Sequence, residues 1–160
     1  MDDPRWLSPQ ERTAWLKFAA VLELLPGVLD AQLSTDEDLT HFDYFVLAML
    51  SETPDRTLRM TALASRTNAT LARLSRVVSR LERAGFIRRT PCPEDRRATN
   101  ATLTPAGLDK VTHAAPGHVA NVRSYVVDAL TPAELEQLSV ISGRLLTKLD
   151  PEGRMFASSE

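Results

Sequence analysis

The stretch RVVSRLERAGFIRR, residues 76–89, decides the fold, because it joins the end of an amphipathic helix directly to the start of a strand. Apolar side chains recur at helical spacing from Leu71 to Leu81, a stripe that we expect to be buried, and arginines lie on nearly the opposite face. From Phe86 the pattern changes to a short β-type run. The stretch therefore predicts a helix followed by a hairpin, both carrying arginine.

The residues on either side predict a mainly α fold with one small β-hairpin. We expect helices at 9–33, 41–51, 60–67, 71–84, 105–129 and 132–149, and strands at 86–90 and 99–103. Serine or threonine followed by proline and glutamate marks two of the helix starts, at Ser8 and Thr131. Pro26 and Pro116 are expected to break or kink their helices. Asn68, in the tight turn before the fourth helix, is expected to adopt a positive φ.

The positive charge is concentrated in one part of the chain. Nine arginines and three acids lie between Arg66 and Arg97, a local net charge of +6, whereas the remaining residues carry −8 and the whole chain −2. This separation is typical of proteins that bind a polyanion. The bases in this window are all arginine, which suits planar contacts to phosphate and guanine. We therefore expect a DNA-contacting face rather than a merely solvated helix surface.

The predicted helix 71–84 and the tip of the hairpin divide this face into two parts. Such a helix fits the major groove, and an arginine on the hairpin tip reaches the adjacent minor groove. The first turns of a recognition helix meet the base edges. The residues expected to bind DNA are Thr70, Arg73, Ser75, Arg76 and Arg80 on the helix and Arg96 and Arg97 at the tip. The roles of Arg80, Arg83, Arg88 and Arg89 stay open between phosphate contacts and partners within the protein.

The segment from Leu63 to Gly107 resembles the MarR family (multiple-antibiotic-resistance regulators). Three motifs carry the resemblance: R-L-E-x-x-G and two hydrophobic residues at 80–87, D-x-R at 95–97, and L-T-x-x-G at 103–107. The chain differs where family members commonly have glycine, at Asn68, and an acid, at Ser79. The resemblance implies a homodimeric transcriptional regulator, most often a repressor, on a pseudo-palindromic duplex. It also implies that Arg97 enters the minor groove and that Asp95 orients an arginine.

The fold class implied is a winged helix-turn-helix flanked by N- and C-terminal dimerisation helices. We expect one MarR-type domain over 1–160, a DNA-binding lobe over 41–104, and dimerisation helices at 9–33 and 105–149. The first helix is apolar on more than one side between Trp15 and Leu25, so that a partner is needed to cover it. A dimer of terminal helices also spaces two recognition helices about 34 Å apart, one turn of DNA.

The resemblance further implies a cleft for a small, often aromatic effector between the dimer helices and the DNA-binding lobe. The candidate lining residues are Trp15, His41, Tyr44 and Phe45, with simple core packing as the alternative for each of them.

Cys92, between two prolines and close to arginines, suggests a thiol switch, although a lone cysteine is more often incidental.

Other kinds of site are not predicted. One cysteine makes no intramolecular disulfide, and His113 and His118, five residues apart, do not have the spacing of a helical metal site, so that surface positions are expected for them. No nucleotide-binding or nucleophile motif occurs, so that we expect neither a cofactor nor an enzyme. An acidic start and the lack of a long apolar run predict a cytoplasmic protein without a membrane segment.

The alternative function is a winged-helix interaction module that docks its basic face on an acidic protein.

Overall fold

Six helices and a three-stranded sheet follow one another in the order that the sequence predicts, with one strand added. The computed structural model describes residues 4–95 and 97–155. The elements are α1 Pro9–Glu37, α2 His41–Ser51, β1 Thr57–Arg59, α3 Met60–Arg66, α4 Leu71–Arg83, β2 Ile87–Pro91, β3 Thr99–Leu103, α5 Pro105–Val122 with a π-helical segment Arg123–Val127, and α6 Pro132–Leu149. The fold class, a winged helix-turn-helix with helical extensions, is confirmed.

The local signals in the sequence are confirmed at the helix starts. Ser8 and Thr131 each form a full capping box with the glutamate three residues later. The Thr70 hydroxyl accepts a hydrogen bond from the backbone N–H of Arg73 at 3.2 Å and so caps α4. Asn68 has a φ of 47°, as expected for the turn between α3 and α4. These features depend on neighbouring residues alone, which is why they can be predicted from the sequence.

Neither helix is broken at its proline, because α1 runs through Pro26 and α5 runs through Pro116. Both prolines are exposed, and so are the residues four positions earlier, Leu22 and Thr112. A carbonyl that loses its helical partner there stays open to solvent, which lowers the cost of the proline. α1 also extends to Glu37, four residues beyond the expected end, and α5 gives way to the π-helical segment after Val122.

The sheet has one strand more than predicted. β3 lies in the centre and pairs antiparallel with both β2 and β1. β1 is three residues long, from Thr57 to Arg59, and too short to show an alternating pattern. Its hydrogen bonds go to residues more than forty positions later, so that no local signal reveals it.

Most of the core lies within residues 41–104. Large aliphatic side chains from α2, α3, α4 and β2 are almost fully buried there, among them Leu47, Leu63, Leu74, Leu81 and Ile87. Gly107 in the first turn of α5 is required by this packing, because a Cβ atom would lie 2.1 Å from the carbonyl oxygen of Phe86. This close approach explains the glycine of the L-T-x-x-G motif.

The terminal helices expose much of their apolar surface in the single chain. α6 has no buried residue, and the large apolar side chains of α1 from Trp15 to Leu24 are exposed. On α6 the exposed set includes Leu138, Ile141 and Leu145. A large apolar surface of this kind is typical of a face that another chain covers. No helix in residues 4–95 and 97–155 is long and apolar enough to span a bilayer.

Candidate nucleic-acid interface

α4 presents an arginine face because its apolar face is packed into the core. Leu74, Val78 and Leu81 are buried, whereas Arg73 and Arg76 on the other side are exposed. Leu71, predicted on the buried stripe, is an exception and is 49% exposed. It is the first residue of the helix, and the core beneath α4 begins one turn later, at Leu74.

Three of the four arginines on this face are free of carboxylates within the described part of the chain. Arg76 donates its Nε–H to the carbonyl of Ala72 at 3.4 Å, and Arg83 makes the same kind of bond to Ser79 at 3.3 Å. The guanidinium of Arg73 lies 4.2 Å from the centre of the Phe42 ring. These contacts leave the positive charges uncompensated, as a surface for an anionic partner requires.

Arg80 and Arg89 are held by carboxylates of the same chain. Arg80 is ion-paired with Asp43 of α2, whose side chain is buried. Arg89 donates from Nη2 and Nε to Glu82 at 2.6 and 2.9 Å, and its backbone N–H donates to the same carboxylate at 2.9 Å. These bonds hold the pKa of Glu82 below its ordinary value. The structure therefore places Arg80, expected on the DNA, in an intraprotein ion pair, one of the two roles that the sequence leaves open.

The wing, the segment between β2 and β3, is closed by its own backbone and by one carboxylate. Asp95 accepts a hydrogen bond from the backbone N–H of Arg97 at 3.0 Å, and the N–H of Ala98 bonds to the carbonyl of Asp95 at 2.9 Å. Asp95 thus contacts the backbone of a wing arginine, whereas the guanidinium of Arg97 has no carboxylate partner in the described residues. Arg96, also expected on the DNA, lies outside the described residues.

The recognition helix and the wing lie next to each other. Leu71 and Ser75 of α4, Arg97 of the wing and Thr99 of β3 line one surface depression of about 220 Å³. The same depression is lined by Arg59, whose guanidinium is 3.1 Å from Glu94. The arrangement therefore brings the predicted residues of the two parts, Ser75 and Arg97, to one surface.

Sequence reasoning missed two residues of this surface. The spacing of Leu71 fits the apolar stripe and predicts a buried side chain, whereas its exposure follows from its place at the start of α4. Arg59 ends a strand that the sequence does not reveal, and its partner Glu94 is 35 residues away. The cap at Thr70, which makes Leu71 the first residue of α4, is a local signal for its exposure, whereas Arg59 carries no local signal.

The four candidate effector residues are not brought together. Tyr44 lines a cavity of about 490 Å³ between α2 and α5, together with Pro116 and Val119. Phe45 packs against the core, and Trp15 is an exposed residue of α1 that does not line this cavity. The ring centroid of His41 is 5.6 Å from that of His118, and the ring centroid of His118 is 4.5 Å from that of Tyr44. His41 is thus connected to Tyr44 through His118.

The histidines occupy different surroundings. His113 is 80% exposed, whereas His118, expected at the surface, is half-buried between α2 and α5, and its Nδ1 atom has no hydrogen-bond partner among the described residues. Burial lowers the pKa of both His41 and His118, and for His118 the nearby imidazole of His41 lowers it further. In the described part of the chain no three metal-ligating side chains come together.

Cys92 does not have the exposure that the suggested thiol switch requires. The residue is 4% exposed, and its backbone N–H bonds to the carbonyl of Ala98 at the base of the wing. Oxidants reach buried thiols poorly, so that packing beneath the wing accounts for this position.

An exposed arginine-bearing helix beside an arginine-bearing wing defines a DNA-binding protein of the winged helix-turn-helix class. The family model described as MarR family matches residues 39–99. In the crystal structure of Sco3205, a MarR family transcriptional regulator from Streptomyces coelicolor in complex with DNA, 41% of the aligned residues are identical; the alignment covers 95% of either chain, with a TM-score of 0.90.

Two curated relatives agree with this likeness. The HTH-type transcriptional regulator PapX of Escherichia coli is 32% identical over 111 residues, and the match spans 68% of this chain but only 65% of PapX. The HTH-type transcriptional repressor YetL of Bacillus subtilis (strain 168) is 26% identical over 140 residues, 82% of this chain and 83% of YetL. The chain belongs to the MarR family and is a DNA-binding transcriptional regulator.

Proposed function

We propose that the protein is a cytoplasmic homodimer that binds a pseudo-palindromic DNA duplex and represses transcription until a small ligand releases it. One observation carries the DNA-binding part of this proposal: Ser75 of α4 and Arg97 of the wing line one depression. Arg97, and Arg73 and Arg76 on the exposed part of α4, have no carboxylate partner among the described residues.

The two parts of this surface suit the two grooves of one duplex. The first turns of α4, with Thr70, Arg73, Ser75 and Arg76, enter the major groove, where arginine pairs with guanine. Leu71, exposed between them, suits the methyl group of thymine. Arg97 enters the adjacent minor groove, where a narrow groove strengthens the negative potential. Arg83, about two turns beyond Arg76 on α4, is a phosphate contact that carries no base preference.

The exposed apolar faces of α1 and α6 support the homodimer. A second copy would cover Leu138 and Ile141 of α6 and the apolar residues of α1 with the same residues of its own chain, as a two-fold axis requires. The dimer would present two recognition helices to successive turns of the major groove. Two identical half-sites would then explain a pseudo-palindrome.

The repressor and ligand parts are supported by one relative and by one cavity. The relative YetL is named a transcriptional repressor. The cavity beside Tyr44 has a volume of about 490 Å³, within the range of small-molecule sites, and it lies between α2 of the DNA-binding lobe and α5. A ligand that separates or tightens these two helices would change the angle between the lobes and the dimer scaffold.

The proposal is tested by selecting bound duplexes from a random pool with the full chain, followed by affinity measurements over a range of salt concentrations. We expect one enriched pseudo-palindrome, bound by two chains. The logarithm of the affinity should fall with the logarithm of the salt concentration by about 0.9 for each phosphate neutralised. Binding without any preferred sequence would contradict the proposal and favour a basic surface that docks on an acidic protein.

A further inference from the structure

The first turn of α2 contacts the recognition helix through two adjacent residues. Asp43 is ion-paired with Arg80, and the ring of Phe42 lies beneath the guanidinium of Arg73 at 4.2 Å. Arg73 and Arg80 are seven residues apart on α4, so that they lie on the same face, two turns from each other. The α2 turn therefore contacts α4 at two points along its length.

Asp43 is itself held rigidly. Its Oδ2 atom accepts hydrogen bonds from the backbone N–H of Thr40 at 2.9 Å and from the Thr40 hydroxyl at 2.7 Å, which leaves Oδ1 for Arg80. The residue is 3% exposed, so that it does not reach DNA itself. A buried carboxylate held in this way fixes the position of the guanidinium that it binds.

The same turn is tied to the helices outside the DNA-binding lobe. The backbone N–H of His41 donates to Asp30 of α1 at 2.8 Å, and the His41 ring contacts that of His118 of α5. A movement of α1 or α5 would therefore reach α4 through the residues from His41 to Asp43. The path is contiguous and consists of contacts between packed helices.

We propose that Phe42 and Asp43 are positioning residues for DNA recognition, which act through Arg73 and Arg80 to set the orientation of α4. Asp43 fixes the direction of the helix through Arg80. Phe42 limits the conformations of Arg73, so that its guanidinium loses less freedom when it meets a base. This inference rests on the proposed function, because it concerns how the same surface selects its DNA sequence.

The test measures a preference ratio, the dissociation constant for an unrelated duplex divided by that for the duplex that the wild type enriches. A purely structural defect lowers the amount of active protein and leaves this ratio unchanged, because both duplexes then see less protein. Loss of orientation lowers the ratio, because contacts to the phosphates tolerate a misplaced helix and contacts to the bases do not.

Two single variants and their double variant test the Asp43 contact. We expect D43N and R80Q each to lower the ratio about tenfold, and the double variant D43N/R80Q to lower it no further than either alone, as for two members of one interaction. Thr131→Ala is the control, because it removes the equivalent capping hydroxyl from α6, which bonds to Glu134 and contacts neither Asp43 nor Arg80. It should lower thermal stability and keep the ratio.

One matched pair of variants tests Phe42. Phe42→Leu removes the ring face beneath Arg73 and should lower the ratio, whereas Phe42→Tyr retains the face and should keep it. Selection with F42L should show a weaker base preference at the same positions at which Arg73→Ala weakens it.

Each outcome decides one part of the inference. If D43N or R80Q fails to fold, the double variant, which leaves no unpaired buried charge, carries the test. A wild-type ratio in D43N/R80Q refutes the role of Asp43, and a wild-type ratio in F42L refutes the role of Phe42. If the wild type itself enriches no duplex, the proposed function and this inference both fall; enrichment with unchanged variants refutes the inference alone.

Discussion

Replacing Arg97 by alanine removes one exposed guanidinium from each wing and disturbs little else. The side chain has no carboxylate partner among the described residues, and the bond from its backbone N–H to Asp95 remains in the variant. The free energy of unfolding should therefore change by no more than about 0.5 kcal/mol, as for an exposed residue with no special contact. An effect on DNA binding then reflects the lost contact and not unfolding.

The size of that effect follows from what the guanidinium touches in the proposed complex. One good groove contact contributes about 1–3 kcal/mol, so that R97A should weaken binding by this amount for each wing that engages the duplex. The DNA affinity of Arg97→Lys should lie between those of the wild type and R97A, because lysine keeps the charge but loses the planar donor geometry. Arg5→Ala, which removes the same charge outside the DNA-binding lobe, should bind as the wild type does.

Fluorescence anisotropy with the enriched duplex, at one fixed salt concentration, measures all four proteins, and a thermal melt of each confirms folding. Equal affinities for the wild type and R97A would show that the wing does not enter the groove. A loss of similar size in R5A would show that net charge, and not the position of Arg97, determines affinity.

Four further predictions follow from other parts of the molecule. Arg73→Ala should relax the base preference, whereas Arg83→Ala should weaken binding to the enriched and to an unrelated duplex by the same factor; the reverse pattern, read from both titrations, would overturn this division. Gly107→Ala should destabilise the fold by about 3 kcal/mol or more in urea unfolding, because its Cβ meets the Phe86 carbonyl at 2.1 Å, whereas Gly143→Ala, with nothing within 4 Å, should be neutral or stabilising; equal effects would refute the packing argument. Ile141→Glu should yield monomers in sedimentation velocity, since it places a charge on the exposed apolar face of α6, and an unchanged dimer would remove this face from the interface. Burial in the folded state lowers the pKa of His41 and His118 below 6.5, so that the folded state binds fewer protons than the unfolded state. The free energy of unfolding should therefore fall as the pH drops below about 6.5. Urea unfolding between pH 7.5 and 5 should show a weaker pH dependence of this free energy in His118→Gln than in the wild type, and identical curves would contradict this.

The sequence predicts the parts of the fold that neighbouring residues determine. The capping boxes at Ser8 and Thr131, the positive φ of Asn68 and the amphipathic pattern of α4 each depend on a few consecutive positions. The charge pattern likewise predicts which helix face carries arginine, because burial of Leu74 and Val78 fixes the opposite face.

Contacts between distant residues are less predictable. β1 exists only through its pairing with β3, and the partner of Arg80 is Asp43, 37 residues earlier on another helix. The sequence places Arg80 on the correct face of α4 but does not reveal which neighbouring element supplies a carboxylate. The continuity of α1 through Pro26 is also hard to predict from the sequence, because it depends on the exposure of that part of the helix in the folded chain.

Hydroxyl-radical footprinting of the enriched duplex tests the central claim most directly. That claim is that α4 contacts the major groove and the wing contacts the minor groove, once for each chain of the dimer. The wild type should protect two minor-groove positions, related by a two-fold axis, outside two major-groove sites about 34 Å apart. The same experiment with R97A should lose both minor-groove protections and keep the central sites. A one-sided footprint, or a pattern unchanged by R97A, would contradict the account.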